Sequence, residues 1–194
     1  MSVSKKYYDV ILKNIKNIDF TLLSNNEIIS IFQSIFSNIL ETFEVKEMYR
    51  MYKDTKLNIS NNNAVILNNY TKQYFINTGK KANDINFKEK KWSQLKYIVD
   101  SEMIYIVPID NKIASMAFTS DIYNIGANIV VSTNKEYRKK GYGKSAVAAL
   151  TNSILENQLL PIYFVNVNNE ASINLAKSLQ YEKMALEIVV CTKI

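Results

Sequence analysis

The chain has 194 residues and a mass of 22.3 kDa, which is enough for one sizeable hydrophobic core. Apolar residues make up 47% of the sequence and charged residues 22%, with only 4 Gly and 2 Pro, so the composition excludes an intrinsically disordered chain. A single cysteine excludes an internal disulfide, and because the chain has no histidine we expect neither a metal site nor a histidine-based catalytic triad. The net charge of +6 comes from lysines scattered among acidic and apolar residues, which favours a solvated surface over a nucleic-acid-binding stripe.

Hydropathy and the N-terminal sequence predict the cellular location of the protein. No apolar stretch approaches the roughly 18 residues that a membrane-spanning helix needs. Residues 1–6, Met-Ser-Val-Ser-Lys-Lys, lack the apolar segment and the cleavage site of a secretory signal. The sequence therefore predicts a cytoplasmic protein with no membrane partner.

The first hundred residues favour helices. Apolar residues at helical spacing predict a helix over 4–18, and Ser24 followed by Glu27 has the spacing of a capping box. The apolar stripe that starts at Ile28 then predicts a helix that continues to about Arg50. The remaining elements predicted in this half are strands over 64–67 and 73–76, a loop over 79–84 and a helix that ends near Asp100.

The last hundred residues show the pattern of an antiparallel meander followed by alternating helices and strands. In chain order we predict strands over 103–107, 113–118 and 127–133, a helix over 144–157, a strand over 160–167, a helix over 170–179 and a strand over 183–192. This order predicts an α/β (α+β) fold in which helices flank a mixed β-sheet, with a helical N-terminal portion. We expect one compact unit.

Residues 138–145 read Arg-Lys-Lys-Gly-Tyr-Gly-Lys-Ser and lie between a predicted strand and a predicted helix. A strand that leads through a glycine-containing loop into a helix N-terminus forms an anion site, because backbone N–H groups converge there and the helix dipole favours negative charge. Gly141 and Gly143 allow a close backbone approach or a positive φ, and the flanking cations add attraction. The segment therefore predicts a phosphate-binding loop.

Two nucleotide-binding motifs fit this loop less well than a third one. Residues 143–145, Gly-Lys-Ser, match the end of a P-loop, but Arg138 stands where that motif requires its first glycine. A dinucleotide-binding motif requires glycine at position 146, and the Ala146 found there is allowed only when the two earlier glycines directly follow the first strand of a βαβ unit. Neither motif therefore accounts for the loop.

The third motif is supported by a second one at the expected distance further along the chain. Residues 138–143 carry Arg in the first place and Gly in the fourth and sixth places, and so resemble the loop signature of the GNAT acetyltransferase superfamily. Further along, Asn169 with Ser172 and the run over 175–181 resemble the element that opens and closes the next helix in that family. The resemblance covers roughly residues 100–194 and makes no claim on the first hundred.

The resemblance implies an enzyme that moves an acetyl group from the CoA thioester to an amine of a small-molecule or peptide acceptor by direct transfer. Acetyl-CoA would be the acyl-donor substrate, with its pyrophosphate on the loop amides and its pantetheine arm paired with the preceding strand. The residues that the resemblance assigns to this site are Val130, Val131, Thr133, Arg138, Lys139, Lys140, Gly141, Tyr142, Gly143, Lys144, Ser145 and Asn169. Asn169 is equally suited to cap the helix that follows it.

The same resemblance implies a division of the chain. Residues 101–194 would form the acetyl-CoA-binding core, and residues 1–100 would shape the acceptor side. No metal is implied, and a homodimer is compatible with this reading. The acceptor itself cannot be read from the sequence, because the first half offers only core stripes and polar turns.

The catalytic residues are harder to assign. Many members of the family have a tyrosine where this chain has Ala176, and an acidic residue where it has Asn128, which cannot act as a base. The candidates for these two roles are Tyr163, Tyr142 and Tyr181 as proton donors, and Asp121 and Glu102 as bases. Of the tyrosines, Tyr181 is better suited to the core. These departures leave one alternative open, a catalytically silent acyl-CoA-binding module or protein-interaction domain.

Overall fold

The computed structural model describes residues 7–60, 62–79 and 84–192. The strands described are β1 (Phe43–Tyr52), β2 (Val65–Ile66), β3 (Ile104–Ile109), β4 (Lys112–Ile122), β5 (Gly126–Thr133), β6 (Leu160–Asn166) and β7 (Glu182–Thr192). They form one sheet in the order β2-β3-β4-β5-β6-β1-β7. The predicted mixed sheet with flanking helices is therefore confirmed.

The helices described are α1 (Tyr8–Ile15), α2 (Asn25–Ser37), α3 (Lys72–Ile76), α4 (Ile85–Asp100), α5 (Tyr142–Glu156) and α6 (Glu170–Ser178). None of them combines the length and the apolar character that crossing a membrane requires. The last hundred residues follow the predicted order closely, because each of their elements is preceded by a local turn or capping signal.

Strands β3, β4 and β5 form the predicted antiparallel meander. Asp110 and Asn111 make the tight turn between β3 and β4 with φ values of 49° and 58°, a conformation that these two residue types tolerate. The register between β4 and β5 shifts between Thr119 and Ile122. Strand β6 then pairs in parallel with β5, which makes the sheet mixed.

Helices cover both faces of this part of the sheet. On one face, Val147 of α5 and Ile173 of α6 belong to a buried cluster that includes Ile129 of β5. On the other face, Trp92 of α4 belongs to a second buried cluster with Ile106 of β3. Neighbouring residues of a strand point to opposite faces, so each strand contributes alternately to the two clusters.

The chain forms two compact units. One consists of Met1–Met48 and Leu186–Ile194, and its core includes Ile11 and Phe36. The other consists of Tyr49–Ala185 and contains both clusters described above. The candidate site lies in this second unit.

The predicted helix that continues to Arg50 is wrong beyond Ser37, where α2 ends. Residues 43–52 form strand β1 instead, since their apolar and polar side chains largely alternate with the period of a strand. Apolar Ile39 and Leu40 continue the helical spacing across the break, and this hides the change of period. The predicted capping box at the start of α2 is confirmed by reciprocal side-chain and backbone hydrogen bonds.

The strand predicted over 73–76 is also wrong, because these residues belong to helix α3. The Asn68 side chain accepts hydrogen bonds from the backbone N–H groups of Tyr70 at 2.9 Å and Thr71 at 3.2 Å, and this turn leads into the helix. The strand predicted over 64–67 is present as β2. Residues 4–6 of the first predicted helix and residues 80–83 of the predicted loop lie outside the described residues.

Candidate functional site

Strands β5 and β6 separate partway along their length. They pair from Gly126 opposite Leu160 to Ile129 opposite Tyr163, and the register ends there. Strand β5 continues to Thr133, so its second half has an edge that β6 does not cover. We call residues 130–133 of β5 the open edge.

The backbone direction of the open edge follows from its bonds to β4. The Asn134 N–H donates to the Ala114 carbonyl oxygen at 2.9 Å. Residues of an antiparallel strand point their backbone groups alternately toward and away from the partner strand, and the register here is regular. The N–H and C=O groups of Val131 and Thr133 therefore point away from β4 into the gap, whereas those of Val130 point toward β4.

The loop after the open edge leads directly into the N-terminus of α5. We call residues 138–145 the phosphate loop. Gly141 has a φ of 81° and Lys139 a φ of 61°, so the chain turns sharply through left-handed conformations before the helix. No side chain caps α5. The backbone hydrogen bonds of the helix begin with the one from the Ser145 N–H to the Gly141 carbonyl oxygen, at 3.1 Å. The N–H groups of residues 142–144 at the helix start are thus available to an anion.

The two glycines of the phosphate loop serve different purposes. A Cβ at Gly141 would meet nothing within 4 Å, so this position needs glycine for its positive φ. A Cβ at Gly143 would lie 3.1 Å from Thr133 Oγ1, which in turn lies 2.8 Å from Ser115 Oγ. Gly143 therefore allows the start of α5 to lie against the end of the open edge.

Cationic side chains surround the phosphate loop. Arg138 Nε donates to the Thr133 carbonyl oxygen at 3.3 Å, and the Lys140 ammonium lies 5.5 Å from the centre of the Tyr137 ring. Lys139 and Lys140 are exposed, while Lys144 is half-buried in the first turn of α5. The loop thus presents positive charge next to the free amides of the helix.

The second motif places a hydroxyl pair behind β6. Asn169 caps α6 by accepting a hydrogen bond from the Ser172 N–H at 3.1 Å. The Ser172 hydroxyl lies 2.8 Å from the hydroxyl of Tyr163, a buried residue at the point where β5 and β6 separate. Burial raises the pKa of Tyr163, so its hydroxyl keeps its proton at neutral pH.

Tyr181 is a core residue, as the sequence indicates. It is buried against the Tyr163 ring, with ring centres 5.5 Å apart, and its hydroxyl lies 2.6 Å from Thr151 Oγ1. Ala176 is completely buried in the same cluster. Tyr142 is half-buried and its ring lies edge-on to that of Tyr137 at 6.3 Å.

The candidate bases lie away from the phosphate loop. Asp121 is exposed in the register shift of β4 and accepts a hydrogen bond from the Ser120 hydroxyl at 2.8 Å. Glu102 is exposed in the turn after α4. Asn128 donates to the Tyr123 hydroxyl at 3.3 Å, and its buried Oδ1 has no hydrogen-bond partner among the described residues. The structure thus brings the loop residues and Tyr163 to the gap between β5 and β6, but not Asp121.

One pocket near the open edge was not predicted from the sequence. It lies between α3, α4 and the strands β4 and β5, and the buried Lys88 of α4 is part of its lining. In the sequence Lys88 is one of many scattered lysines, and no local signal distinguishes it. In residues 7–60, 62–79 and 84–192, no group of three or more Cys, Asp or Glu side chains is arranged to hold a metal ion.

A family model described as GNAT acetyltransferase matches residues 6–185 of the chain. This match spans well over half of the sequence, and so the chain belongs to the GNAT acetyltransferase family, as its two motifs predict. The match also includes most of the first hundred residues, to which the motifs did not extend.

Solved structures show the same fold at low sequence identity. A GCN5-related N-acetyltransferase-like protein from Streptococcus suis has 16% identity and a TM-score of 0.58 over 84% of this chain and 68% of that one. An acetyltransferase of the GNAT family from Colwellia psychrerythraea has 14% identity and a TM-score of 0.57 over 82% of this chain and 59% of that one. This chain therefore spans between about three fifths and two thirds of the length of those proteins. No curated protein matches the sequence.

Proposed function

We propose that the protein is an N-acetyltransferase that moves the acetyl group of acetyl-CoA to an amine by direct transfer. The observation that carries this proposal is the continuous path from the open edge of β5 to the uncapped start of α5. Backbone groups that β6 does not pair line one end of this path, and free amides with nearby cations line the other. Family membership supports the same chemistry.

The phosphate loop fits the pyrophosphate of a CoA ligand in charge and in backbone geometry. The N–H groups at the start of α5 are donors without a capping side chain, and the helix dipole favours an anion there. The space around Gly141 leaves room for the phosphate oxygens, since a Cβ there would touch nothing. Lys139 and Lys140 would add long-range attraction for a polyanionic ligand.

The open edge fits an extended amide-containing arm. Val131 and Thr133 direct N–H and C=O groups into the gap, where the two amides of a pantetheine arm could pair as an added strand would. A backbone N–H in this gap can also polarise a thioester carbonyl as an oxyanion site does. Asn169, already the cap of α6, is proposed as a further contact of this arm.

Acetyl-CoA supplies an activated acyl group: its C–S bond breaks as the C–N bond of the amide forms, the amine gives up one proton, and the departing thiolate takes one up. We assign the donation of the proton to the thiolate to Tyr163. Its hydroxyl is protonated at neutral pH and is hydrogen-bonded to the Ser172 hydroxyl. The gap between β5 and β6 begins at Tyr163, which places this residue at the end of the open edge. In this proposal Tyr163 of β6 supplies the proton that, in many members of the family, comes from the tyrosine at the position of Ala176.

Several further expectations belong to this proposal. The acceptor is a small-molecule or peptide amine, and residues 1–100 shape the side from which it approaches. A cytoplasmic location and assembly as a homodimer remain predictions. Asp121 remains a candidate base, acting through water because its carboxylate lies away from the gap.

Thermal unfolding with and without ligands tests the binding step. A ligand present at about 100 times its Kd adds roughly 2.7 kcal/mol of stability, so acetyl-CoA and CoA should both raise the unfolding temperature and Mg-ATP should not. The Gly141→Asp variant should lose this response, because its carboxylate would lie where phosphate binds. Gly141→Asn is the matched control, since it has the same shape and tolerates the same φ without the charge.

Release of free CoA thiol in the presence of an amine panel tests the transfer step. The Tyr163→Phe variant should bind acetyl-CoA normally and release thiol more slowly. Ser172→Ala keeps the tyrosine hydroxyl and should have a smaller effect on the rate. Equal rates for Tyr163→Phe and the unmodified protein would remove Tyr163 from the mechanism.

A catalytically silent acyl-CoA-binding module is the second candidate. The observations that favour it are the alanine at position 176 and the amide of Asn128, which replace groups that many members of the family use for proton transfer. Such a module would be stabilised by acetyl-CoA and would release no thiol with any amine. The two measurements above therefore separate the two functions.

A further inference from the structure

The pocket beside Lys88, which we call the Lys88 pocket, has an apolar wall and, among its described lining residues, one buried cation. Its volume is about 130 Å³, and Phe75, Ile113 and Met116 form its apolar wall. A cavity needs only about 15 Å³ to hold one water, so the pocket has room for a group of several heavy atoms. Ser132 lies at the side of the pocket that adjoins the open edge.

Lys88 is buried, with 7% of its surface exposed. Its ammonium group donates to the Thr78 carbonyl oxygen and, at 3.4 Å, to the Phe75 carbonyl oxygen. It also lies 5.2 Å from the centre of the Phe75 ring. An ammonium group has three N–H donors, and these two carbonyls use two of them.

Lys88 has no carboxylate partner among the described residues. The described residues include no Asp or Glu side chain in an ion pair with it, and the residues outside them contain neither Asp nor Glu. Loss of hydration on burial lowers the pKa of Lys88, as expected for a cation without a counter-charge. Buried charges are ordinarily paired, so a cation that lines a cavity and has, among the described residues, one donor without a partner favours an anionic ligand.

We propose that the Lys88 pocket binds the carboxylate of the acceptor, and that the acceptor is therefore a small aminocarboxylate such as an amino acid. The ammonium of Lys88 bonds the carboxylate, and Ile113 and Met116 contact the carbon chain beside it. The binding of a carboxylate here is independent of the proposed function, but the identification of that carboxylate as part of the acceptor rests on it.

The position of the pocket along β5 supports the link to acetyl transfer. Ser132 belongs to both the pocket lining and the open edge. Val130 has its side chain on the same face of β5, because it is two residues away, and it is 37% exposed. Two residues of a strand span about 7 Å. A carboxylate bound in this pocket would therefore lie beside the part of β5 that carries the open edge.

Methyl NMR of Met116 gives a direct readout of the pocket. The protein, labelled at the methionine methyl groups, is titrated with isovalerate and separately with isovaleramide, its uncharged analogue. We expect isovalerate to shift the Met116 signal, assigned through Met116→Leu, and to bind at least about tenfold more tightly than the amide, as a charge-assisted hydrogen bond implies. Equal binding of the two, or no shift of Met116 with either, would overturn the proposal without any variant.

The Lys88→Met variant then tests the cation. It should lose the preference for the carboxylate, and circular dichroism at the titration temperature establishes that it is folded. Lys91→Met is the matched control, because Lys91 is an exposed lysine of the same helix whose ammonium lies 5.9 Å from the Phe87 ring. A preference for isovalerate that survives in Lys88→Met would assign the anion site to another group and contradict the proposal.

A turnover assay connects the pocket to the acceptor. Valine and leucine are compared with valinamide and leucinamide, and the amino acids should have the lower KM. Lys88→Met should raise that KM at least about tenfold while acetyl-CoA binding stays unchanged. Equal KM values for acids and amides would overturn the acceptor assignment. A protein that fails to bind acetyl-CoA would overturn the proposed function, whereas the Met116 titration would still decide whether the pocket takes a carboxylate.

Discussion

The two faces of the sheet around β5 differ in which groups form their proposed binding sites, backbone amides on one face and side chains on the other. On the face covered by α5 and α6, the proposed site consists mainly of backbone amides positioned by Gly141 and Gly143, with Asn169 and Tyr163 as its proposed side-chain groups, and most other side chains behind it are buried in the core. On the face covered by α3 and α4, the site is a pocket of side chains around one buried lysine. A backbone site suits a ligand common to a whole family, whereas a side-chain pocket can differ from one protein to the next and so determine which acceptor is used.

The largest effect is expected where α5 lies against the open edge. Gly143→Val would force a side chain against Thr133 Oγ1, which is already bonded to Ser115. Overpacking of this kind costs about 1–3 kcal/mol, measured as the free energy of unfolding in denaturant. Acetyl-CoA affinity, measured by calorimetry, should fall at least about tenfold because the loop amides move.

Two controls show whether this effect is confined to one face. Adding Thr133→Ala to Gly143→Val removes the atom that is contacted and should recover part of the stability. The Met116 shift with isovalerate should be unchanged in Gly143→Val. A loss of both acetyl-CoA binding and the Met116 response would show that the two sites are not independent, and the comparison of the two faces would then fail.

The next effect concerns the sealed core behind the backbone site. Tyr181→Phe removes the hydroxyl that lies 2.6 Å from Thr151 Oγ1 and should cost about 1 kcal/mol of unfolding free energy. Burial raises the pKa of Tyr181 above the value of about 10 that it has in the unfolded chain. Above pH 10 the unfolded chain therefore loses a proton that the folded protein keeps, and stability falls as pH rises.

The alkaline limb of the stability curve tests this assignment. In Tyr181→Phe the free energy of unfolding should fall less steeply above pH 10. The slope should differ by the equivalent of one proton, about 1.4 kcal/mol per pH unit. Tyr97→Phe is the matched control, since Tyr97 is 68% exposed. An unchanged slope in Tyr181→Phe would mean that this hydroxyl is reached by solvent.

The sequence predicts the backbone site because its signals are local. A run of eight residues contains the glycines and the cations of the phosphate loop, and the strand before it and the helix after it follow from their own periodicity. The placement of Tyr181 in the core was predicted in the same way. The contact between the Ser172 and Tyr163 hydroxyls was not predicted, because their proximity depends on how α6 lies behind β6.

The side-chain pocket could not be predicted from the sequence. Phe75, Lys88 and Met116 are far apart in the chain and meet only in the folded protein. The segment around Phe75 was itself predicted as a strand, because the turn at Asn68, which leads into helix α3, was taken to join two strands. The wrong extension of α2 has a similar cause, since a stripe of apolar residues does not by itself show where its period changes from helix to strand.

A smaller effect on stability is expected at Lys88. Its pKa is lowered in the folded protein, so between that value and about 10.4 the unfolded chain holds a proton that the folded protein lacks. Lys88 therefore makes stability rise with pH in this window. The difference in unfolding free energy between the unmodified protein and Lys88→Met should shift in favour of the unmodified protein as the pH rises toward about 10.4, and Lys91→Met is the matched control.

The smallest effect is expected at the exposed cations of the phosphate loop. Lys139→Gln removes one solvated charge and leaves the backbone amides in place, so acetyl-CoA affinity should fall only a few-fold at low salt. The Debye length falls from about 10 Å at 0.1 M to about 3 Å at 1 M, and the difference from the unmodified protein should disappear over this range. Lys90→Gln, an exposed lysine of α4 on the opposite face, should have no effect at either salt concentration. If the Lys139→Gln effect persists at 1 M salt, the side chain contacts the ligand directly, and the site on this face is not built from backbone alone.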